Sequence, residues 1–215
     1  MRPRVALGIA ALAAVGACAG HGTPARAPEP RPPTSVALVD SVAWETEAGE
    51  GVLHRIAVRT GSSIDTIPGV LTGSRPILVA GGVLGFAWAN DDITHAFRYD
   101  LATRRVQSLP LPRDFSPAFS APAISPTGDY VAYVLVPGNS TAAGAVRRWP
   151  AGPEVVRSGF VAVPATDVAL ERARWLDGDR FEIYIDLTTA AERWQRIRGS
   201  VATRVIRTDT VARLP

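Results

Sequence analysis

Lysine is absent from all 215 residues, cysteine occurs once and glutamine twice. Without a lysine amine there is no Schiff-base nucleophile and no lysine to hold a phosphate. A single cysteine excludes a disulfide framework within the monomer and a zinc centre built on several thiolates. No G-x-S-x-G elbow, G-x-x-x-x-G-K-[ST] loop, H-E-x-x-H helix or EF-hand loop occurs, so no local catalytic signature is present. Excess charge is scarce too. All 23 basic residues are Arg, against 12 Asp and 8 Glu, and without Arg2 and Arg4 the balance is 21 to 20. No basic patch of the kind nucleic acids require stands out, which excludes that class of partner. What is present, 47% apolar and 20% charged residues, suffices for one ordinary core and excludes a disordered chain.

The first residues read as an address. Arg2 and Arg4 precede a run free of polar side chains from Val5 to Val15, followed by Gly16 and Ala17 directly before Cys18. That is the arrangement of a secretory signal. The run is about half the ~20 residues a membrane-spanning helix needs, so residues 1–17 are expected to be cleaved. Residues 24–33 then carry five prolines and no apolar face. Such a stretch favours extended polyproline II, and residues 18–34 read as a semi-rigid spacer of roughly 40 Å.

Val15-Gly16-Ala17-Cys18 resembles the lipobox of bacterial lipoproteins, an aliphatic residue three before the cysteine and small residues between. The resemblance implies that Cys18 becomes the first residue of the mature chain and carries a diacylglyceryl thioether. A plain signal peptide with a cysteine near its cleavage site is the alternative. The residue after Cys18 is Ala19 rather than Asp, which in the enterobacterial sorting rule implies the outer membrane, facing the periplasm.

Residues 35–215 are expected to form the folded body. They are rich in Val, Ile and Thr and broken by Gly and Pro every several residues, as strands and turns require. Phe181, Ile183, Ile185 and Leu187 alternate with Glu182, Tyr184 and Asp186, and His95, Phe97, Tyr99 and Leu101 with Ala96, Arg98 and Asp100. A period of two predicts half-buried antiparallel strands. Segments 54–67, 96–109, 145–157 and 194–206 each read as strand, turn, strand; their last apolar residues, Ile67, Leu109, Val156 and Ile206, are spaced by 42, 47 and 50. One four-stranded propeller blade occupies that length. Ala123–Val134 and, 50 residues on, Ala173–Tyr184 read as first strand pairs turning at Pro126-Thr127-Gly128-Asp129 and Asp177-Gly178-Asp179.

Ser125-Pro126-Thr127-Gly128-Asp129-Tyr130-Val131-Ala132-Tyr133 resembles the S-P-D-G-K-x-I-A-F signature of TolB-type, WD40-like propeller repeats of the bacterial envelope. Thr127 stands where that family has Asp, and Trp175-Leu176 replace Ser-Pro in the fourth repeat. The family closes with six blades, whereas about four are counted here. The expected fold is therefore all-β, a small or incomplete propeller of about four four-stranded antiparallel blades, with a β-sandwich as the alternative. Ser35–Val42 is expected to close the ring against Arg204–Val211. Thr188–Arg198 has helical spacing, but alignment with the other hairpins leaves at most a helical turn at Thr189–Glu192.

Candidate chemistry is sparse. His54 and His95 stand at comparable places in repeats one and two and could meet as metal ligands, but no further ligand is spaced to join them, so no metal or cofactor is expected. Asp91-Asp92, Asp177 with Asp179, and Glu45, Glu47 and Glu50 could supply an acid and base pair; the first two groups are also ordinary turn chemistry. The S-x-D-x-G-x-x-W box of sialidases is not matched by Ser125-Pro-Thr-Gly-Asp. Trp44, Trp88, Trp149, Trp175 and Trp194 could stack on sugars or anchor a partner, or pack between blades. Two functions follow: a lipid-anchored, non-catalytic binding or scaffold module with a protein or glycan partner in the envelope, or a hydrolase acting on glycan or peptide through paired carboxylates. The absent motifs favour binding.

Overall fold

The computed structural model describes residues 34–46, 49–89, 92–112, 122–137, 140–163, 172–187 and 194–213. Cys18, the signal and the proline-rich stretch lie outside them, as do Glu47, Asp91 and residues 188–193, where the helical turn was expected. Pro32–Pro215 form one compact unit.

The described chain is all-β, and its sheets follow one another along the sequence. Blade 1 is β1 (Thr34–Thr46), β2 (Gly49–Thr60) and β3 (Ser63–Thr72). Blade 2 is β4 (Ile77–Val79), β5 (Gly82–Ala89), β6 (Asp92–Asp100) and β7 (Arg105–Leu109). Blade 3 is β8 (Ala123–Ile124), β9 (Tyr130–Leu135), β10 (Thr141–Arg148) and β11 (Glu154–Arg157), with β12 (Val161–Ala162) also paired to β10. Blade 4 is β13 (Arg172–Trp175), β14 (Arg180–Asp186), β15 (Trp194–Ser200) and β16 (Ile206–Val211). Every pairing is antiparallel, and all but that of β12 with β10 join strands consecutive in the chain. Four separate meandering sheets make a small propeller-like fold and exclude the two-sheet sandwich.

All four expected hairpins form, as β2–β3, β6–β7, β10–β11 and β15–β16. Trp194–Arg198 is strand, as their alignment required. The turn at Ser125 works as its residues dictate: the Ser125 N–H donates to the Tyr130 carbonyl and the Ser125 carbonyl accepts from the Gly128 N–H, each at 2.8 Å, and Gly128 has φ +81°. This lies in the left-handed region, where glycine carries no Cβ penalty.

Three apolar clusters join the blades in series. Ile56, Val58 and Ile67 of blade 1 meet Val83, Phe97 and Tyr99 of blade 2. Phe86 and Ile93 meet Val131, Tyr133 and Leu135 of blade 3. Val134 and Val146 meet Phe181, Ile183 and Ile197 of blade 4. Blades 2 and 3 are therefore packed on both faces, and the expectation of half-buried strands fails at Ala96, opposite in phase to Phe97 and fully buried, and along β14, where Glu182, Tyr184 and Asp186 are buried like Phe181, Ile183 and Ile185. Among the described residues no cluster joins blade 4 to blade 1.

Closure is the clear correction. Residues 35–42 lie in β1 and pair with β2, not with β16, whose partner is β15. The reason is local. β1 meets β2 over nearly its whole length through a short connection, so pairing at once with its sequence neighbour requires no distant loop closure.

Blade 1 is also short of a strand. The recurring hairpins place β2–β3 opposite β6–β7, β10–β11 and β15–β16, so β1 corresponds to β5, β9 and β14. The counterpart of the innermost strands β4, β8 and β13 is missing among the described residues.

Candidate functional site

Where the inner edges of the four sheets converge lies a cavity of about 790 Å³. That volume falls within the roughly 300–1,000 Å³ of small-ligand sites. Each blade contributes: β1 through Ser35 and Val36, the start of β4 through Arg75, Pro76 and Ile77, β8 through Ala123 and Ile124, and β13 through Arg172–Trp175, with Tyr184 of β14 behind. Pro76 and Pro122 stand directly before β4 and β8. A proline there fixes φ without removing a hydrogen bond from the strand interior.

The lining carries three arginines, Arg75, Arg172 and Arg174, and among the described residues no carboxylate. Arg174 is held from behind. Its Nε donates to Glu182 Oε2 at 2.8 Å, and the Tyr184 hydroxyl donates to the same oxygen at 2.8 Å. The guanidinium also lies 5.7 Å from the centre of the Tyr184 ring, within cation–π range. Burial acts to raise the Glu182 pKa, but the hydrogen bonds from Tyr184 and Arg174 outweigh it and hold the carboxyl below its usual value. The Tyr184 phenol is pushed up, by burial and by its bond to Glu182. Arg174 is raised chiefly by that same carboxylate.

Arg75 and Arg172 have no acidic partner among the described residues. Arg75 projects from a connection that is itself braced. Buried Thr72 donates from Oγ1 to the Ser74 carbonyl at 2.9 Å and accepts from the Ser74 N–H at 3.1 Å, and Trp88 Nε1 donates to Ser74 Oγ at 3.4 Å. The cavity thus presents three exposed arginines beside an apolar wall of Val36, Pro76, Ile77 and Trp175. Guanidinium groups donate charge-assisted hydrogen bonds to an anion.

The acids and histidines singled out from sequence fall elsewhere, whereas Trp175 lines the cavity. Asp177 and Asp179 do turn chemistry: Asp177 Oδ1 accepts from the N–H of Asp179 at 2.9 Å and of Arg180 at 2.7 Å, while Asp179 accepts from Ser200 Oγ at 2.6 Å and the Ala202 N–H at 2.7 Å. Asp92 opens β6 at the surface, and Glu45 and Glu50 pair in register at the end of the β1–β2 ribbon. His54 and His95 are half-buried on β2 and β6, line neither cavity, and join no metal-ligand group among the described residues. A second cavity, of about 410 Å³, lies at the turns between blades 3 and 4 and holds two carboxylates, Glu154 and Asp179, with Arg148 and Arg204. Glu154 is ion-paired with Arg157 at 3.3 Å.

Trp149 and Trp175 pack between blades, and the side chain of Trp44 lies outside the described residues. Trp149 meets Phe86 of blade 2 edge-on at 5.0 Å, and Trp175 meets Phe181 at 5.8 Å while its Nε1 donates to the Ala123 carbonyl of blade 3 at 2.8 Å. The three cavity arginines were missed. Arg75 stands about a hundred residues before Arg172 and Arg174 and on a different blade, and the signal that could have found them is the place of Arg75 and Arg172 at the start of an innermost strand, Arg75 before β4 and Arg172 opening β13.

No protein-family profile and no curated protein matches the chain. Among solved structures it is similar to one from a study of two prolyl endopeptidases, with a TM-score of 0.40 and 13% identity over 82% of this chain and 29% of that one. The chain spans under a third of the length of that structure.

Proposed function

We propose that this chain is a lipid-anchored protein of the bacterial envelope that acts as a non-catalytic binding module through its central cavity and takes an anion there.

 

What supports the reading is the cavity itself: four blades converge on it, and it carries three arginines and no acid among its described lining residues. Propellers expose their loops around a central channel and bind partners there. Three of the acids that a hydrolase could use are engaged, Asp177 and Asp179 in turns and Glu154 in an ion pair. The lipid anchor rests on Val15-Gly16-Ala17-Cys18 and on the spacer that follows.

The test is a thermal-shift titration of the full chain in detergent micelles with 2-naphthoate, and with 2-naphthamide as its neutral twin. The naphthoate should raise the Tm and the amide should not, and Arg172→Gln together with Arg75→Gln should remove the difference. Equal shifts for the two compounds would refute an anion site. Hydrolysis of a glycan or peptide substrate that is lost in Glu154→Gln or Asp179→Asn would replace binding by catalysis.

A further inference from the structure

The innermost strand that blade 1 lacks among the described residues and the cavity coincide. Among those residues β1 pairs with β2 alone, and its residues Ser35 and Val36 line the cavity. In blades 2, 3 and 4 the same side of the corresponding strand is covered by β4, β8 and β13. An uncovered edge offers a row of unpaired N–H and C=O groups, a template for another strand. Asp40 takes φ +47° at the register shift between Val39 and Ser41, so the regular edge is Thr34–Val39, as long as any innermost strand here needs.

We propose that the cavity is an acceptor for an extended acidic peptide from a protein partner, which adds to the edge of β1 at Thr34–Val39 as the fourth strand of blade 1. This rests on the reading of the cavity as an anion-binding site and names its ligand. The charge pattern selects the partner: Arg75 flanks the vacant strand position from blade 2, and Arg172 and Arg174 face the cavity from blade 4. Main-chain hydrogen bonds along an edge give affinity without sequence, and side chains at alternate positions give specificity. A peptide with a carboxylate at every second residue satisfies both demands, whereas a proline-rich one fails the first, having no N–H to donate, and a basic one fails the second.

The probe is a fluorescein-labelled eight-residue peptide alternating Val and Glu, titrated with the full chain in detergent micelles and followed by anisotropy. Saturable binding is expected, weakened at least about tenfold by Arg75→Gln with Arg172→Gln, and at least about tenfold by N-methylation of alternate peptide amides, which removes strand donors but keeps every charge. An N-methylated peptide that binds as well as its parent would overturn strand addition. If 2-naphthoate binds in an arginine-dependent way and the peptide does not, the anion site stands and the peptide proposal falls. If neither binds, both fall. The Ile-for-Glu version of the peptide should not bind, and equal binding by it would also overturn the proposal.

Discussion

Tyr184 and Arg174 donate to one and the same oxygen, Glu182 Oε2, each at 2.8 Å. A buried carboxylate with two donors is held in place, and it holds the arginine that faces the cavity. Glu182→Gln keeps the shape but removes the charge, and the loss of charge-assisted hydrogen bonds should cost about 1–3 kcal/mol. Arg174 is half-exposed and can turn to water, which keeps the cost below that of a fully buried broken pair. Urea unfolding of the two chains measures the difference; equal midpoints would show that Glu182 contributes nothing.

Stability should fall on the acid side. Asp177 is held at about 2 by the backbone N–H groups of Arg180 and Asp179 and by the Arg180 side chain, and Glu182 is also lowered. A carboxyl with a folded pKa below its unfolded one binds more protons when unfolded, so its contribution is complete above the unfolded value of about 4 and is lost as pH falls through the folded value. The window of loss therefore runs from roughly pH 4 downward, ending for Asp177 at about 2. Tyr184 has the opposite sign: its raised pKa means that stability drops as pH climbs from about 10 through the folded value. Thermal melts across pH should show both flanks, and Asp177→Ala should blunt the acid one.

How much of this was legible in the sequence differs by element. The hairpins could be read because each carries its own evidence within a dozen residues: alternation, then a turn such as Gly61-Ser62. Closure could not, because the partner of residues 35–42 is decided by competition between β2 and β16, and proximity in the chain wins. The acids were conspicuous as pairs, yet pairing in sequence is what turns produce, and Asp177 and Asp179 spend their oxygens on backbone N–H groups. The cavity arginines gave no local pattern, since a convergent site on separate blades is assembled only by the fold.

Gly128 and Gly178 stand 50 residues apart in aligned turns, but only Gly128 has φ +81°. A Cβ on Gly128 would also lie 2.8 Å from Val79 Cγ1 of blade 2, whereas one on Gly178 would meet Thr127 Cγ2 at 3.2 Å. Gly128→Ala should therefore cost about 1–2 kcal/mol for the left-handed backbone alone, with the clash in addition. Gly178→Ala should cost well under that. Melting temperatures of the two variants check the order, and a larger loss for Gly178→Ala would contradict the turn geometry.

The last prediction concerns Cys18, the single thiol of the chain. A lipobox needs the cysteine as the nucleophile that takes the diacylglyceryl group, and small residues at 16 and 17 so that the peptidase reaches the bond before it. One acyl chain gives only marginal membrane binding, and stable anchoring takes at least two, which a diacylglyceryl group supplies. Cells fed an alkynyl fatty acid should label the wild-type chain, and Cys18→Ala should lose both the label and sedimentation with membranes. Replacing Gly16 by Phe tests the peptidase separately: the uncleaved, longer chain should accumulate while the thiol is still present. An alanine variant that keeps its label would show that the lipid is carried elsewhere, and an unlabelled wild type that is nevertheless cleaved would return the segment to an ordinary secretory signal.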